Sequence, residues 1–151
     1  MGNVISNYAK GRFIEWATLP VGGDNIIVVL FKAAGLPSDA TLRNTQYLSG
    51  VFTAGGVEAD FTNAARKVLS AADITVTVNT GTGVATFDTS DQTWSSAGGA
   101  VNNPLGKFGT FYRKTSSDAD SAIRCISFHD YVVTTTGVNL LATVPSIGTA
   151  T

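Results

Sequence analysis

The longest uninterrupted run of apolar residues covers positions 26–31, directly after Asn25. A continuous run of β-branched and aliphatic residues is typical of a strand buried on both faces, whereas a strand with one wet face alternates. The turn residues of positions 20–25 precede this run and separate it from residues 12–18, which alternate only weakly. The pattern therefore predicts a central strand over residues 25–31.

Strict alternation of apolar and polar residues marks a second region. Ile74, Val76 and Val78 alternate with threonine, residues 80–83 (Thr-Gly-Thr-Gly) have turn composition, and residues 84–88 resume a strand-like pattern. Two such runs joined by a short glycine-containing turn predict a β-hairpin.

Two further strand pairs follow from the same signals. Residues 108–114 and 122–128 are predicted to form a hairpin with a longer polar tip over residues 115–120. Residues 131–136 and 140–144 are predicted to form the last pair, closed around Thr136-Gly137, before a small polar tail over residues 145–151.

Helical signals are confined to the stretch after the central strand. Ser38 or Asp39 is suited to cap a short helix over residues 40–48, and residues 49–56 then read as a flexible connection. Residues 58–72 stay open between helix and strand, because their apolar residues fall at helical spacing while the segment leads directly into strand-like sequence.

Short strands separated by Gly, Asn, Asp and Thr turns predict a mainly β fold, a single-domain antiparallel sandwich or barrel with one or two short helices. A chain of 151 residues fits one compact domain. Residues 1–11 lack periodicity and are predicted to form a poorly packed N-terminal arm, with residues 12–151 as the β-rich domain.

Charge narrows the range of partners. Only 14% of the residues are charged, against about 25% in a typical soluble domain. The net charge is −1 and no run of Lys or Arg exists, so a nucleic-acid partner is not expected. No secretion signal is apparent and no apolar run approaches the ~20 residues that cross a bilayer, so we expect a soluble protein without a membrane partner.

Candidate chemistry is sparse. The single cysteine, Cys125, lies in a strand-like run and is expected to be a buried structural thiol. The single histidine, His129, is expected at a strand end or in a loop, and Asp130 should point to the opposite face of the strand rather than orient its imidazole. Cys125 and His129 would be about 13 Å apart along a strand, too far for proton transfer.

Metal sites are equally weakly indicated. Asp118 with Asp120, or Asp88 with Asp91, could contribute to a calcium site, but calcium takes six to eight oxygen ligands and the spacing of an EF-hand is missing. The sequence predicts no catalytic residue, no cofactor and no metal.

Aromatic residues are the best candidates for contact with a partner. Trp16, Trp94, Phe111 and Tyr112 lie near predicted loops or strand ends, and Tyr and Trp are enriched at binding hot spots. Phe111 and Tyr112 are adjacent, so one should face the core and the other should not. An ordinary core with a mixed rim is the alternative interpretation.

Several stretches together resemble a group of small proteins encoded in the structural modules of tailed phages. The resemblance is carried by residues 61–69 (Phe-Thr-Asn-Ala-Ala-Arg-Lys-Val-Leu), 74–78 (Ile-Thr-Val-Thr-Val), 91–99 (Asp-Gln-Thr-Trp-Ser-Ser-Ala-Gly-Gly), 105–107 (Leu-Gly-Lys) and 129–130 (His-Asp), and it extends over residues 12–145. It implies a virion component without catalytic residues, in the first place a capsid decoration (cement) protein.

The expected partner is then the major capsid protein or another virion protein, with the chain itself a homo-oligomer. Trimers suit lattice points of threefold character, although symmetry is not written in the sequence. A tail, neck or head-completion role is the first rival. A carbohydrate-binding or hydrolytic β domain is the second, with Trp94 near Asp91 as its aromatic and acidic pair.

Overall fold

The computed structural model describes residues 2–9, 12, 22–79, 81–82 and 84–150. The protein is mainly β, with 38% strand and 11% helix, as the sequence predicts. The strands of the described residues are β1 (Val4–Ile5), β2 (Asn25–Lys32), β3 (Lys67–Val68), β4 (Ile74–Asn79), β5 (Val84–Thr89), β6 (Gln92–Trp94), β7 (Pro104–Arg113), β8 (Arg124–Thr134), β9 (Leu140–Ala142) and β10 (Ile147–Ala150). Two short helices, α1 (Asp39–Arg43) and α2 (Leu48–Thr53), and a 3-10 turn (Ala71–Asp73) complete the described elements.

The central sheet has the strand order β1-β8-β7-β2-β3, and all its pairings are antiparallel. Strand β2 lies inside this sheet, and residues 25–31 are all buried. The predicted central strand is therefore confirmed, including its burial on both faces.

Each face of the central sheet is covered by a different layer. On one face, Ile27, Val29 and Phe31 join the core formed with the helices α1 and α2. On the other, Ile26, Val28 and Leu30 join residues of the β10-β5-β4 sheet and of the β6-β9 pair. The strands of the two β layers pack as in a sandwich, with the helices as a third layer, and each large apolar side chain fully buried there contributes roughly 1.5–3 kcal/mol.

The helical layer departs from the sequence prediction. Ser38 caps α1 by accepting a hydrogen bond from the backbone N–H of Thr41 (3.2 Å), but the helix ends at Arg43. The segment expected to be a flexible connection instead contains α2, so that expectation is wrong. Leu48 and Val51, one helical turn apart, are completely buried against the central sheet, and this tertiary contact stabilises a turn of helix that Gly50 disfavours.

The segment left open between helix and strand is mostly neither. It turns at Asn63, whose φ is +70°, and then forms the two-residue strand β3, which pairs with β2. Phe61 and Leu69 are both buried, so these two apolar residues mark contacts with the core and not one face of a helix.

The hairpin of β4 and β5 is confirmed, as is that of β7 and β8, whose strands are longer than predicted. The predicted last pair is wrong. Residues 131–134 continue β8 beside β7, and β9 pairs with β6 instead. The chain changes layer at Gly137, whose φ of +93° is a conformation that favours glycine.

The N-terminal residues are part of the sheet. Strand β1 pairs with β8, Val4 and Ala9 are buried, and the backbone N–H of Ser6 donates to the carbonyl of Ile126 (2.8 Å). The expectation of a poorly packed arm is therefore wrong for residues 2–9, because a short apolar pair extends the sheet edge. Apart from Arg12, the weakly alternating segment 12–18 lies outside the described residues.

Candidate interaction site

The predicted interface aromatics fall into three different environments. Trp94 and Phe111 are 2% and 0% exposed, so neither can contact a partner and the hypothesis is wrong for both. Tyr112 is half-buried: it packs against the core that contains Trp94 and also lines a surface groove, so the expectation that one of the adjacent pair would not face the core is not confirmed. Trp16 lies outside the described residues.

Trp94 is held by its polar edge as well as by its apolar surface. Its indole Nε1–H donates to the carbonyl of Ala65 (2.7 Å), and the ammonium of Lys67 lies 5.3 Å from the ring centroid. An indole that is buried with its donor satisfied is a core residue. The pairing of Trp94 with Asp91 as a glycan-binding pair is therefore wrong, and Asp91 accepts instead from the backbone N–H of Val144 (3.1 Å).

Lys107 is the most unusual buried residue, because its side chain is 0% exposed and charged. Its ammonium donates to the carbonyl of Gly2 (2.7 Å) and to the carboxylate of Asp130, the residue opposite it on β8. The Asp39 Oδ1 lies 3.1 Å away as an ion pair, out of line for a hydrogen bond. A buried ammonium is tolerated when it is paired in this way.

The same cluster fixes the start of the chain. The backbone N–H of Gly2 donates to Asp39 Oδ2 (2.6 Å), and the side chain of Asn3 accepts from the backbone N–H of Asp130 (2.9 Å). The hydrogen bond from Gly2 is the main cause that lowers the pKa of Asp39. Asp130 is thus committed to Lys107, in agreement with the expectation that it does not orient His129.

The structure places a serine beside the histidine, which sequence reasoning missed. Ser127 Oγ lies 2.8 Å from His129 Nε2 and 2.6 Å from Thr110 Oγ1, and the imidazole stacks on Phe108 with 4.8 Å between ring centroids. The sequence spacing could have indicated this contact, because Ser127 and His129 are two residues apart and residues two apart in a strand lie on the same face. His129 lies within β8 rather than at a strand end, so that expectation is wrong.

The Ser127–His129 pair belongs to the buried core and is not arranged as a catalytic nucleophile with its general base. Ser127 is 0% and His129 5% exposed, and His129 Nδ1 has no hydrogen-bond partner among the described residues. A hydrolytic pair needs access for a substrate and an orienting group on the second nitrogen. Burial, reinforced by the charge of Lys107, lowers the pKa of His129 to about 4, so the imidazole is neutral at pH 7.

The other candidate reactive groups are also engaged or buried. Burial raises the pKa of the Cys125 thiol to about 12 and leaves it 1% exposed, which confirms a structural thiol. Asp118 accepts from the backbone N–H groups of Lys114 and Thr115 (2.7 and 3.1 Å), and Asp120 pairs with Arg66 (2.7 Å). Within the described part of the chain, no cluster of three His, Cys, Asp or Glu residues could hold a metal.

Arg66 connects distant segments. It makes a bidentate contact with Glu58 (2.9 and 2.7 Å) in addition to its bond to Asp120 at the tip of the β7–β8 hairpin. The bond to Glu58 is the main cause that raises the pKa of Arg66. Paired guanidinium–carboxylate bonds of this kind fix orientation as well as charge.

The described residues form a surface groove of about 630 Å³, and we call it the tyrosine groove. It is lined by Arg12, Asp24, Tyr47, Tyr112, Lys114, Asp118, Ser121, Ala122 and Arg124. Its volume falls within the range of ligand-binding clefts, and its combination of tyrosine and arginine is typical of binding hot spots.

No family model, no curated protein and no solved structure matches this chain. None of the helices among the described residues has both the length and the apolar composition that crossing a membrane requires.

Proposed function

We propose that this chain is a non-enzymatic structural protein of a tailed-phage particle, and specifically a capsid decoration (cement) protein that binds and stabilises the head lattice. The observation that carries the proposal is where the residues of the sequence resemblance lie. Trp94, Arg66, Lys107 and Asp130 all hold the body of the domain together, as described above. Residues with such packing roles support the resemblance as one of fold, and the use as a virion protein is what the resemblance implies.

The charge distribution is consistent with lattice binding. Of the ten basic and eleven acidic residues, eight form ion pairs within the described residues: Lys32, Asp39, Glu58, Asp60, Arg66, Lys107, Asp120 and Asp130. Because only 14% of the residues are charged, few charges have to lose water when a partner covers the surface, and interface cores are depleted in charge for this reason. Binding to the assembled shell and not to its dissociated subunits stabilises the shell by mass action.

Copy number in purified particles tests the proposal. We expect hundreds of copies per particle when the chain is quantified by mass spectrometry with isotope-labelled peptides, using the major capsid protein of the same sample as the internal count. A ring-sized copy number would move the chain to the tail or neck. Its absence from purified particles would refute a virion role.

Reconstitution provides a second measurement. Heads that lack the chain are mixed with purified protein, and their release of DNA on heating is compared with and without it. We expect saturable binding and a higher release temperature. Light scattering of the free protein measures the predicted homo-oligomer.

A further inference from the structure

The floor of the tyrosine groove is a row of three side chains on neighbouring backbone segments. Arg124 is paired with Tyr112 across the β7–β8 ladder, and an isolated β-bridge joins Arg124 to Tyr47 on its other side. Side chains of directly opposed residues lie on the same face, about 4.5–5.5 Å apart at their Cβ atoms. The half-buried guanidinium of Arg124 is thus flanked by two tyrosines.

The acidic residues of the groove already have partners. Asp24 accepts from the hydroxyl of Tyr112 (2.7 Å). Asp118 accepts from its own loop, and the hydrogen bond from the Thr115 side chain is the main cause that lowers its pKa. Arg124, by contrast, makes no side-chain hydrogen bond or ion pair with the described residues. Among the described residues, the groove therefore presents a guanidinium whose fork of donors has no partner, beside the exposed Lys114.

We infer that the tyrosine groove binds a carboxylate side chain from an acidic segment of a partner protein, with Arg124 as its bidentate anchor. A carboxylate matches the guanidinium fork with two parallel hydrogen bonds, and flanking aromatic rings exclude water from that pair. That the partner is a head protein rests on the proposed function, whereas the chemistry of the groove does not.

The same groove is poorly suited to a nucleic acid. Asp24 and Asp118 line it together with the cations, and a phosphate backbone carries a regular series of negative charges that these carboxylates repel. A single acidic side chain can reach Arg124 while the rest of its segment stays outside the groove.

A peptide titration with the full chain tests the inference. The probe is a fluorescein-labelled, end-blocked peptide with one glutamate between glycines, which matches the single acidic side chain that the groove accommodates, and its control replaces the glutamate with glutamine. Fluorescence anisotropy at low salt is expected to show saturable binding of the acidic peptide alone. Arg124→Gln should weaken that binding at least tenfold.

Arg43→Gln is the matched control, because it removes the same charge from an exposed helical residue outside the groove. We expect it to change the dissociation constant less than twofold. Tyr47→Ala should weaken binding threefold or more. Circular dichroism verifies folding, and Arg124→Lys, which keeps the charge but lacks the fork, replaces Arg124→Gln if that variant does not fold.

Several outcomes would overturn the inference. These are the lack of saturable binding, an equal effect of Arg43→Gln and Arg124→Gln, and equally tight binding of inorganic phosphate or a 15-nucleotide thymidine strand. Binding to phage heads distinguishes failure of this inference from failure of the proposed function. If the natural protein and Arg124→Gln bind heads equally well and the acidic peptide shows no saturable binding, the inference fails while the decoration role stands. If the natural protein binds the acidic peptide but no heads, the groove stands and the decoration role fails.

Discussion

Replacement of Lys107 by methionine should be among the most destabilising single changes in this protein. The substitution keeps the length and most of the volume of the side chain but removes the charge that two carboxylates share. It also removes the donor to the carbonyl of Gly2, which fixes the N-terminal strand β1. The loss therefore combines unpaired carboxylates with a freed backbone acceptor.

The size of the effect follows from burial. Removing one partner of a buried ion pair costs about 3–5 kcal/mol. The Lys107 side chain is fully buried, but those of Asp39 and Asp130 are 25% and 33% exposed, so water stabilises the carboxylates in part. We expect a loss at the low end, about 3 kcal/mol, and a fall in Tm of about 6–12 °C for a domain of this size.

Urea unfolding, followed by tryptophan fluorescence, measures the free energy of unfolding. Lys32→Met is the matched control, because Lys32 pairs with the largely exposed Asp60 and such surface pairs contribute about 0–1 kcal/mol. The triple variant Lys107→Met, Asp39→Asn, Asp130→Asn should recover stability relative to Lys107→Met alone, since it leaves no buried charge unpaired. A loss for Lys107→Met no larger than that for Lys32→Met would refute the reasoning.

Three further predictions concern single residues. The pKa of His129 is lowered from 6.5 to about 4, so the unfolded chain binds the extra proton first as pH falls. The stabilising contribution of the neutral imidazole is complete above pH 6.5 and is lost between pH 6.5 and 4, on the order of 3 kcal/mol. Urea unfolding of the natural protein should find this pH dependence of the free energy of unfolding, and His129→Phe should abolish it. Trp94→Phe removes an indole donor from a buried site and should cost about 2 kcal/mol in urea unfolding followed by circular dichroism. Binding to heads should be unchanged, and weaker binding by a folded variant would restore Trp94 as an interface residue. Gly98→Ala would place a Cβ 2.2 Å from Asn102 Oδ1 at a φ of +96° and should cost at least about 3 kcal/mol of stability. Gly22→Ala, with a φ of +60° and no described atom within 4 Å, should cost about 1 kcal/mol. Equal losses in thermal unfolding would contradict the steric argument.

Local pattern determined the strands that depend on neighbours in sequence. The continuous apolar run of β2 required burial on both faces, and the alternation of β4 and β5 around a glycine turn required a hairpin. These features follow from side-chain periodicity and turn geometry within about 15 residues, and both could be read directly.

Contacts between distant residues decided the rest. Burial of Leu48 and Val51 stabilises a helix where a flexible connection was expected, and β9 pairs with β6 because the chain changes layer at Gly137. Neither choice has a local signal, since the stabilising surface belongs to another part of the chain.

The candidate site shows the same division. The sequence indicated Tyr112 as a contact residue, but it gave Trp94 the same status because composition cannot distinguish an exposed indole from a buried one. Only the register of β7 against β8, together with the bridge to Tyr47, places Tyr112 beside Arg124 and leaves the guanidinium open to the groove. Side-chain chemistry is written in the sequence, whereas exposure and proximity arise only when distant segments pack.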